Sequence, residues 1–154
     1  MSIYNTPLEE RFGEKLEELR EGKNMTREQL AEQVGLTARH IAALERGERR
    51  PTLNTMEKLL RAQFPDLSAK YVHQFALLFL DLQKKCDSAE ISTKALDLRG
   101  MLDALRLMRR GVAAGAALDM GITNKAFDSY EQGLIRDAIA ARIPAQLTAA
   151  KLFD

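Results

Sequence analysis

The sequence predicts an all-α protein built as two small helical units, and three observations carry that prediction. Helix N-terminal capping signals recur along the chain, as in Thr26-Arg27-Glu28-Gln29 and Asp128-Ser129-Tyr130-Glu131. Between such signals the apolar residues return every three or four positions, the spacing of one helix face. The alternation of β-branched and aromatic residues that marks strands, with its hairpin-turn dipeptides, is missing. A length of 154 residues with 45% hydrophobic and 29% charged residues suits one compact domain or two small ones, each with a core to bury.

The elements follow in order. Thr6-Pro7-Leu8-Glu9 combines an N-cap, a proline at the first helical position and the Glu of a capping box. Leu8, Phe12, Leu16 and Leu19 then share a face, and Gly22 stands where a C-terminal cap belongs. The box at Thr26 opens a short helix with Leu30, Ala31 and Val34 inside, which Gly35 ends. Thr37 caps a third helix over 38–46, with Ile41 and Leu44 inward and Gly47 as its stop. Pro51 and Thr52 open a fourth, whose apolar face is Leu53, Met56, Leu59 and Leu60.

Phe64-Pro65-Asp66 interrupts this pattern, because proline cannot continue a helix interior, and it divides the chain into units 1–64 and 65–154. Residues 68–85 form one helix that is apolar almost all round, through Phe75-Ala76-Leu77-Leu78-Phe79-Leu80. Such a helix must be buried on several sides, in its own domain or between subunits. A polar connector over 86–92 leads to a long helix over 93–110 carrying Leu96, Leu98, Met101, Leu102, Leu105 and Met108, with Gly111 as its stop. A short helix over 112–120 ends at Gly121. The box at Asp128 opens a last helix with Leu134, Ile135, Ala138 and Ile139, which must end before Pro144. The tail from Ala145 is expected to be short and loosely held.

Several function classes drop out at this stage. The single thiol, Cys86, cannot build a disulfide framework or a cysteine-based zinc site and points to a reducing compartment. The longest strongly apolar run, Phe75 to Leu80, falls far short of the roughly 20 residues that span a bilayer. The opening Met1-Ser2-Ile3-Tyr4-Asn5 lacks a signal-peptide pattern, so a cytoplasmic protein with no membrane partner is expected. The two histidines, His40 and His73, have no Cys, His or carboxylate at metal-ligand spacing, and no nucleophile–base pair stands out. Neither a cofactor, a metal nor an enzymatic activity is therefore expected.

The segment from Thr26 to Gly47 is the informative one: a short helix, a tight turn and a second short helix. Ala31 is small where two helices must cross closely, Gly35 admits a left-handed turn, and Val34, Ile41 and Leu44 are apolar where the interhelical angle is set. With Leu44-Glu45-Arg46-Gly47 and Pro51 following, residues 8–62 resemble the Xre/Cro-type helix-turn-helix family of phage and bacterial repressors. The resemblance implies a DNA-binding transcriptional regulator, expected to be a repressor, whose recognition helix 38–46 enters the major groove. Arg39 is the foremost base reader it implies, because a guanidinium fork pairs bidentately with guanine. Ala38, His40 and Ala43 share that face, with the alanines offering apolar contact to a thymine methyl. Arg27 and Thr37, at helix N-termini, and Arg46, Arg49 and Arg50, just beyond the recognition helix, are the expected phosphate contacts. The resemblance also pairs Arg20 with Glu45, as scaffold that holds the recognition helix in place.

The C-terminal unit reads as a dimerisation domain, since such regulators read paired half-sites as homodimers. Residues 90–144 also resemble the C-terminal helical lid of MoxR- and CbbQ-like AAA+ ATPases, through Ile91-Ser92-Thr93-Lys94-Ala95-Leu96, Leu105-Arg106-Leu107-Met108, Asn124-Lys125 and Arg142-Ile143-Pro144. In such a lid Lys94 and Arg99 would lie near nucleotide phosphate, but the chain has no G-x-x-x-x-G-K-[S/T] loop and so no means of hydrolysing ATP by that mechanism. The alternative function is thus a DNA-targeting adaptor that docks on an AAA+ ATPase partner.

A formal net charge of +1 would argue against nucleic acid if it were evenly spread. It is not. Glu9, Glu10, Glu14, Glu17, Glu18 and Glu21 load the first helix, while Arg27, Arg39, Arg46, Arg49 and Arg50 gather in the DNA-reading unit. Modest non-specific affinity is expected, with binding dependent on the right operator and on dimerisation.

Overall fold

In the computed structural model, residues 7–154 are described, and these are helical with no strand among them; one isolated antiparallel bridge joins Leu67 and Phe153. The helices are α1 (Leu8–Gly22), α2 (Arg27–Val34), α3 (Ala38–Glu45), α4 (Leu53–Gln63), α5 (Ala69–Asp87), α6 (Leu98–Arg109), α7 (Ala114–Gly121), α8 (Ser129–Ala140) and α9 (Ala149–Leu152). Short 3₁₀ turns stand at Thr93–Ala95 and Thr123–Lys125. No helix among the described residues is long and apolar enough to cross a membrane.

Capping chemistry sets most boundaries where the sequence places them. Thr26 and Gln29 form a complete capping box, with Thr26 Oγ1 accepting from the Gln29 N–H at 3.1 Å and Gln29 Oε1 from the Thr26 N–H at 2.8 Å. Thr37 accepts from the His40 N–H at 3.0 Å, and Thr52 from the Thr55 N–H at 3.2 Å. At the start of α1 the expected cap, Thr6, lies outside the described residues, and Pro7 is the N-cap instead of the first helical residue.

Three expectations change. The helix expected over 93–110 is broken: after the 3₁₀ turn the chain extends through Leu96 and Asp97, and Asp97 caps α6 by accepting from the Gly100 N–H at 2.6 Å. Asp favours that local side-chain-to-backbone bond over a helix interior. The box at 128–131 is only half closed. Asp128 accepts from the Glu131 N–H at 2.9 Å, but the Glu131 carboxylate reaches past Asp128 to the N–H groups of Phe127, at 2.8 Å, and Ser92. It thereby ties α8 to a segment far away in sequence.

The tail is also not loose. The Ser68 N–H donates to the Leu152 carbonyl at 2.8 Å and the Asp154 N–H to that of Asp66 at 2.8 Å, while the Ala114 and Gly115 N–H groups bond the Leu147 and Ala145 carbonyls. Leu152 is fully buried, and the Arg109 guanidinium lies 4.9 Å from the centre of the Phe64 ring and 5.0 Å from that of Phe153. Cation–π contact and apolar burial offset the entropy of ordering a chain end.

The core runs across Pro65. Phe12 and Leu16 of α1, Ile41 and Leu44 of α3, Phe75 and Phe79 of α5 and Met101 and Leu105 of α6 belong to one buried cluster. Phe12 meets Phe79 edge to face, ring centres 6.0 Å apart. Most of the apolar surface of α5 is buried within the chain, Val72, Ala76, Leu78 and Leu82 included, while Leu77 and Leu80 are half-buried. Arg11 adds a polar tie between the halves, donating to the Lys94 carbonyl at 3.1 Å and to Asp97 at 3.3 Å.

Candidate nucleic-acid interface

Helices α2 and α3 are joined by Gly35-Leu36-Thr37, and the turn is built by backbone chemistry. Gly35 takes φ 82°, the left-handed region where a side chain is disfavoured, and its N–H closes onto the Ala31 carbonyl at 2.8 Å. Leu30, Ala31 and Val34 of α2 and Ile41 and Leu44 of α3 are buried, so the apolar positions meet between the two helices as their spacing requires. Lys58 of α4 braces the turn from below, donating to the Gly35 carbonyl at 3.0 Å.

The C-terminal end of α3 is held from two sides. Gly13 of α1 abuts the carbonyls of Leu44 and Glu45, so closely that a Cβ there would stand 2.6 Å from the Glu45 oxygen. Glu45 accepts from Arg20 Nε at 2.6 Å and Nη2 at 3.0 Å, a bidentate fork between the two residues that the resemblance pairs, while Arg20 Nη1 bonds the Met25 carbonyl at 2.9 Å. A further partner was not legible in the spacing: Arg27 Nε donates to Glu45 Oε1 at 3.0 Å. Burial pushes the Glu45 carboxyl up, but the hydrogen bonds and charges of Arg20 and Arg27 outweigh it and hold the group below its ordinary value. Glu45 is thus an ionised, solvent-excluded anchor for α3, consistent with a scaffold and not a surface contact.

The opposite face of α3 is open. Arg39 and Arg46 are exposed, Ala38, His40 and Ala43 are half-buried, and Thr37 stands exposed at the N-cap. Arg49 is exposed in the loop that follows. His40 is held below its ordinary value by burial first and then by the charges of Arg49 and Lys58. Lys58 therefore joins this cationic surface, a residue the sequence reading missed because a lone lysine on the fourth helix carries no local signal.

Two expected phosphate contacts have partners within the chain. Arg27 commits Nε to Glu45, leaving the rest of its five-donor fork. Arg50 turns to the other side: its Nη1 and Nη2 donate to the two Asp87 oxygens, each at 2.7 Å, and its Nε donates to Glu9. Glu9 is thereby drawn beside the loop after α3, and Glu10 packs against Gly47, so the acidic start of α1 adjoins that loop. Among the described residues no group of three or more His, Cys, Asp and Glu side chains could hold a metal ion. His73 lies exposed on α5, its Nδ1 3.4 Å from Glu57.

What this surface offers is a convex helix with one long guanidinium, two small alanines and flanking cations. It suits the edge of a base pair between two phosphate backbones. Compared with known families, residues 16–62 match the helix-turn-helix family model, and the C-terminal half lies outside the match. No curated protein and no solved structure matches the chain.

Proposed function

From the premise that residues 16–62 are an Xre/Cro-type helix-turn-helix domain, a DNA-binding module, we propose that the protein is a sequence-specific transcriptional regulator, a repressor, acting as a homodimer on a double-stranded operator in the cytoplasm. The observation that carries this is the open face of α3, whose far side is anchored by Glu45 while Arg39 projects free of any such tie.

In this reading α3 lies in the major groove. Arg39 donates two bonds to guanine O6 and N7, and Ala38 and Ala43 pack on neighbouring bases, where a thymine methyl fits. Thr37, Arg46, Arg49 and Lys58 meet phosphates on either side, with the remaining donors of Arg27 beside them. His40 is neutral at pH 7 and adds a tunable donor. One module of this size buries too little surface for tight operator binding, so two copies reading paired half-sites supply the rest. Among the described residues the exposed large apolar side chains, Met120, Phe127 and Tyr130, lie in the C-terminal half, where self-association is proposed.

Selection of bound sequences from a random DNA pool tests the proposal, followed by gel-shift titration of the selected site. A palindromic site with half-sites about one helical turn apart is the expected result. Arg39→Ala is expected to cost about 1–3 kcal/mol per half-site and to relax the sequence preference at one guanine in each. Absence of any shifted band at low salt overturns it.

A further inference from the structure

Arg50 stands just past α3, among the cations of the DNA-reading unit, yet its guanidinium is committed elsewhere. It forks onto Asp87 through two bonds of 2.7 Å and reaches Glu9 through Nε. Asp87 is the last residue of α5, where the helix carbonyls already concentrate negative charge, so a carboxylate there is unfavourable until a cation faces it. Glu9 sits in the first turn of α1, at that helix's positive end. One guanidinium therefore pins three segments together: the loop behind the recognition helix, the start of α1 and the end of α5. The two carboxylates hold Arg50 more firmly protonated than usual, and Arg50 in turn lowers Asp87. Pro51, buried directly after it, fixes the chain on the other side.

We infer that Arg50 is a positioning residue and not a phosphate contact: it sets the pose of the 46–50 loop, and with it Arg46 and Arg49, against the C-terminal half. The inference rests on the DNA-binding reading above. Three of the five Arg50 N–H donors are committed, and a phosphate that drew the guanidinium away from Asp87 would leave an uncompensated carboxylate at the α5 C-terminus. As a strut it stays in place and links the DNA-reading loop to the end of α5.

Operator affinity of the full chain as a function of salt separates these roles, because each phosphate contact contributes about 0.9 to the slope of log affinity against log salt. Arg49→Gln is expected to lower the slope of the homodimer by about twice that amount, one contact in each copy. Arg50→Gln and Asp87→Asn are each expected to leave the slope unchanged and to weaken binding about three- to fivefold. The double variant is expected to be no weaker than either single one, because both remove the same contact. Arg50→Lys, which keeps the charge but not the fork, is expected to match Arg50→Gln. A slope lowered by Arg50→Gln and not by Asp87→Asn overturns the inference, and so does tighter binding by Asp87→Asn, which would show a cation released to DNA.

A second readout needs no DNA. The Gly47 and Glu48 N–H groups bond the Leu44 and Ala43 carbonyls, so their hydrogen exchange reports the pose of the loop. In the free protein that exchange is expected to quicken about three- to fivefold in Arg50→Gln and Asp87→Asn alike. Unchanged exchange overturns the strut even if no operator is found, whereas quickened exchange without DNA binding overturns only the regulator reading.

Discussion

Arg20 of α1 grips Glu45 of α3 through two hydrogen bonds, 2.6 and 3.0 Å, and the Glu45 side chain is wholly shielded from water. The pair joins the first helix to the far end of the recognition helix and, with Arg27, makes that end a fixed point. Its energetic weight lies in what a single truncation leaves behind: two guanidinium groups without their shared carboxylate, that of Arg20 largely buried and that of Arg27 partly exposed.

Glu45→Ala is accordingly expected to destabilise the fold by about 3–5 kcal/mol in urea denaturation, as for other one-sided breaks of a buried pair. The pH dependence has a definite sign. The folded carboxyl lies below its ordinary value of 4.5, so the pair's contribution is complete above that pH and fades as pH falls through the lower folded value. The stability gap between wild type and Glu45→Gln should narrow below pH 4.5.

Gly13→Ala places a methyl group on the Leu44 and Glu45 carbonyls, which are backbone atoms and cannot swing aside. Forcing α1 and α3 apart is expected to cost about 1–3 kcal/mol or more, measurable by denaturation. Because the strain falls on α3, operator affinity should drop alongside stability.

His40 is expected to titrate below 6.5, as followed by its imidazole proton shifts, since burial and then Arg49 and Lys58 disfavour the charged ring. Lys58→Gln should raise that midpoint. As pH falls through it, protonation adds a cation to the DNA-facing side, so operator affinity should rise as pH is lowered from 7.

Leu152→Ala removes a fully buried side chain from the C-terminal tail. A loss of about 2–5 kcal/mol in denaturant midpoint experiments is expected. Phe153→Ala, which withdraws one of the two rings beside Arg109, should cost less, about 0.5–1 kcal/mol beyond its lost burial. An unchanged midpoint in both would restore the picture of a loose tail.

Local chemistry made much of this legible. The Thr26–Gln29 box, the Thr37 cap and the left-handed Gly35 are contacts among near neighbours, so residue order alone specifies them. The same holds for the open face of α3, which follows from where Ile41 and Leu44 must point. Two side chains take distant partners that residue order does not specify: Glu131 takes the Ser92 N–H beyond its own box, and Arg50 takes Asp87.

What the residues determined unaided is therefore the all-helical class and the two short helices with their turn, while the Arg20–Glu45 scaffold beneath them was implied by the family resemblance. What only the tertiary structure decided is which cations remain open to a partner and how the halves are tied. Arg50 and Arg49 are adjacent, carry the same charge and have no local feature that separates them. One meets Asp87, 37 positions away, and the other stays exposed. The distinction arises because ion pairing depends on through-space distance, which the packing of α1 and α5 sets and which sequence separation does not encode.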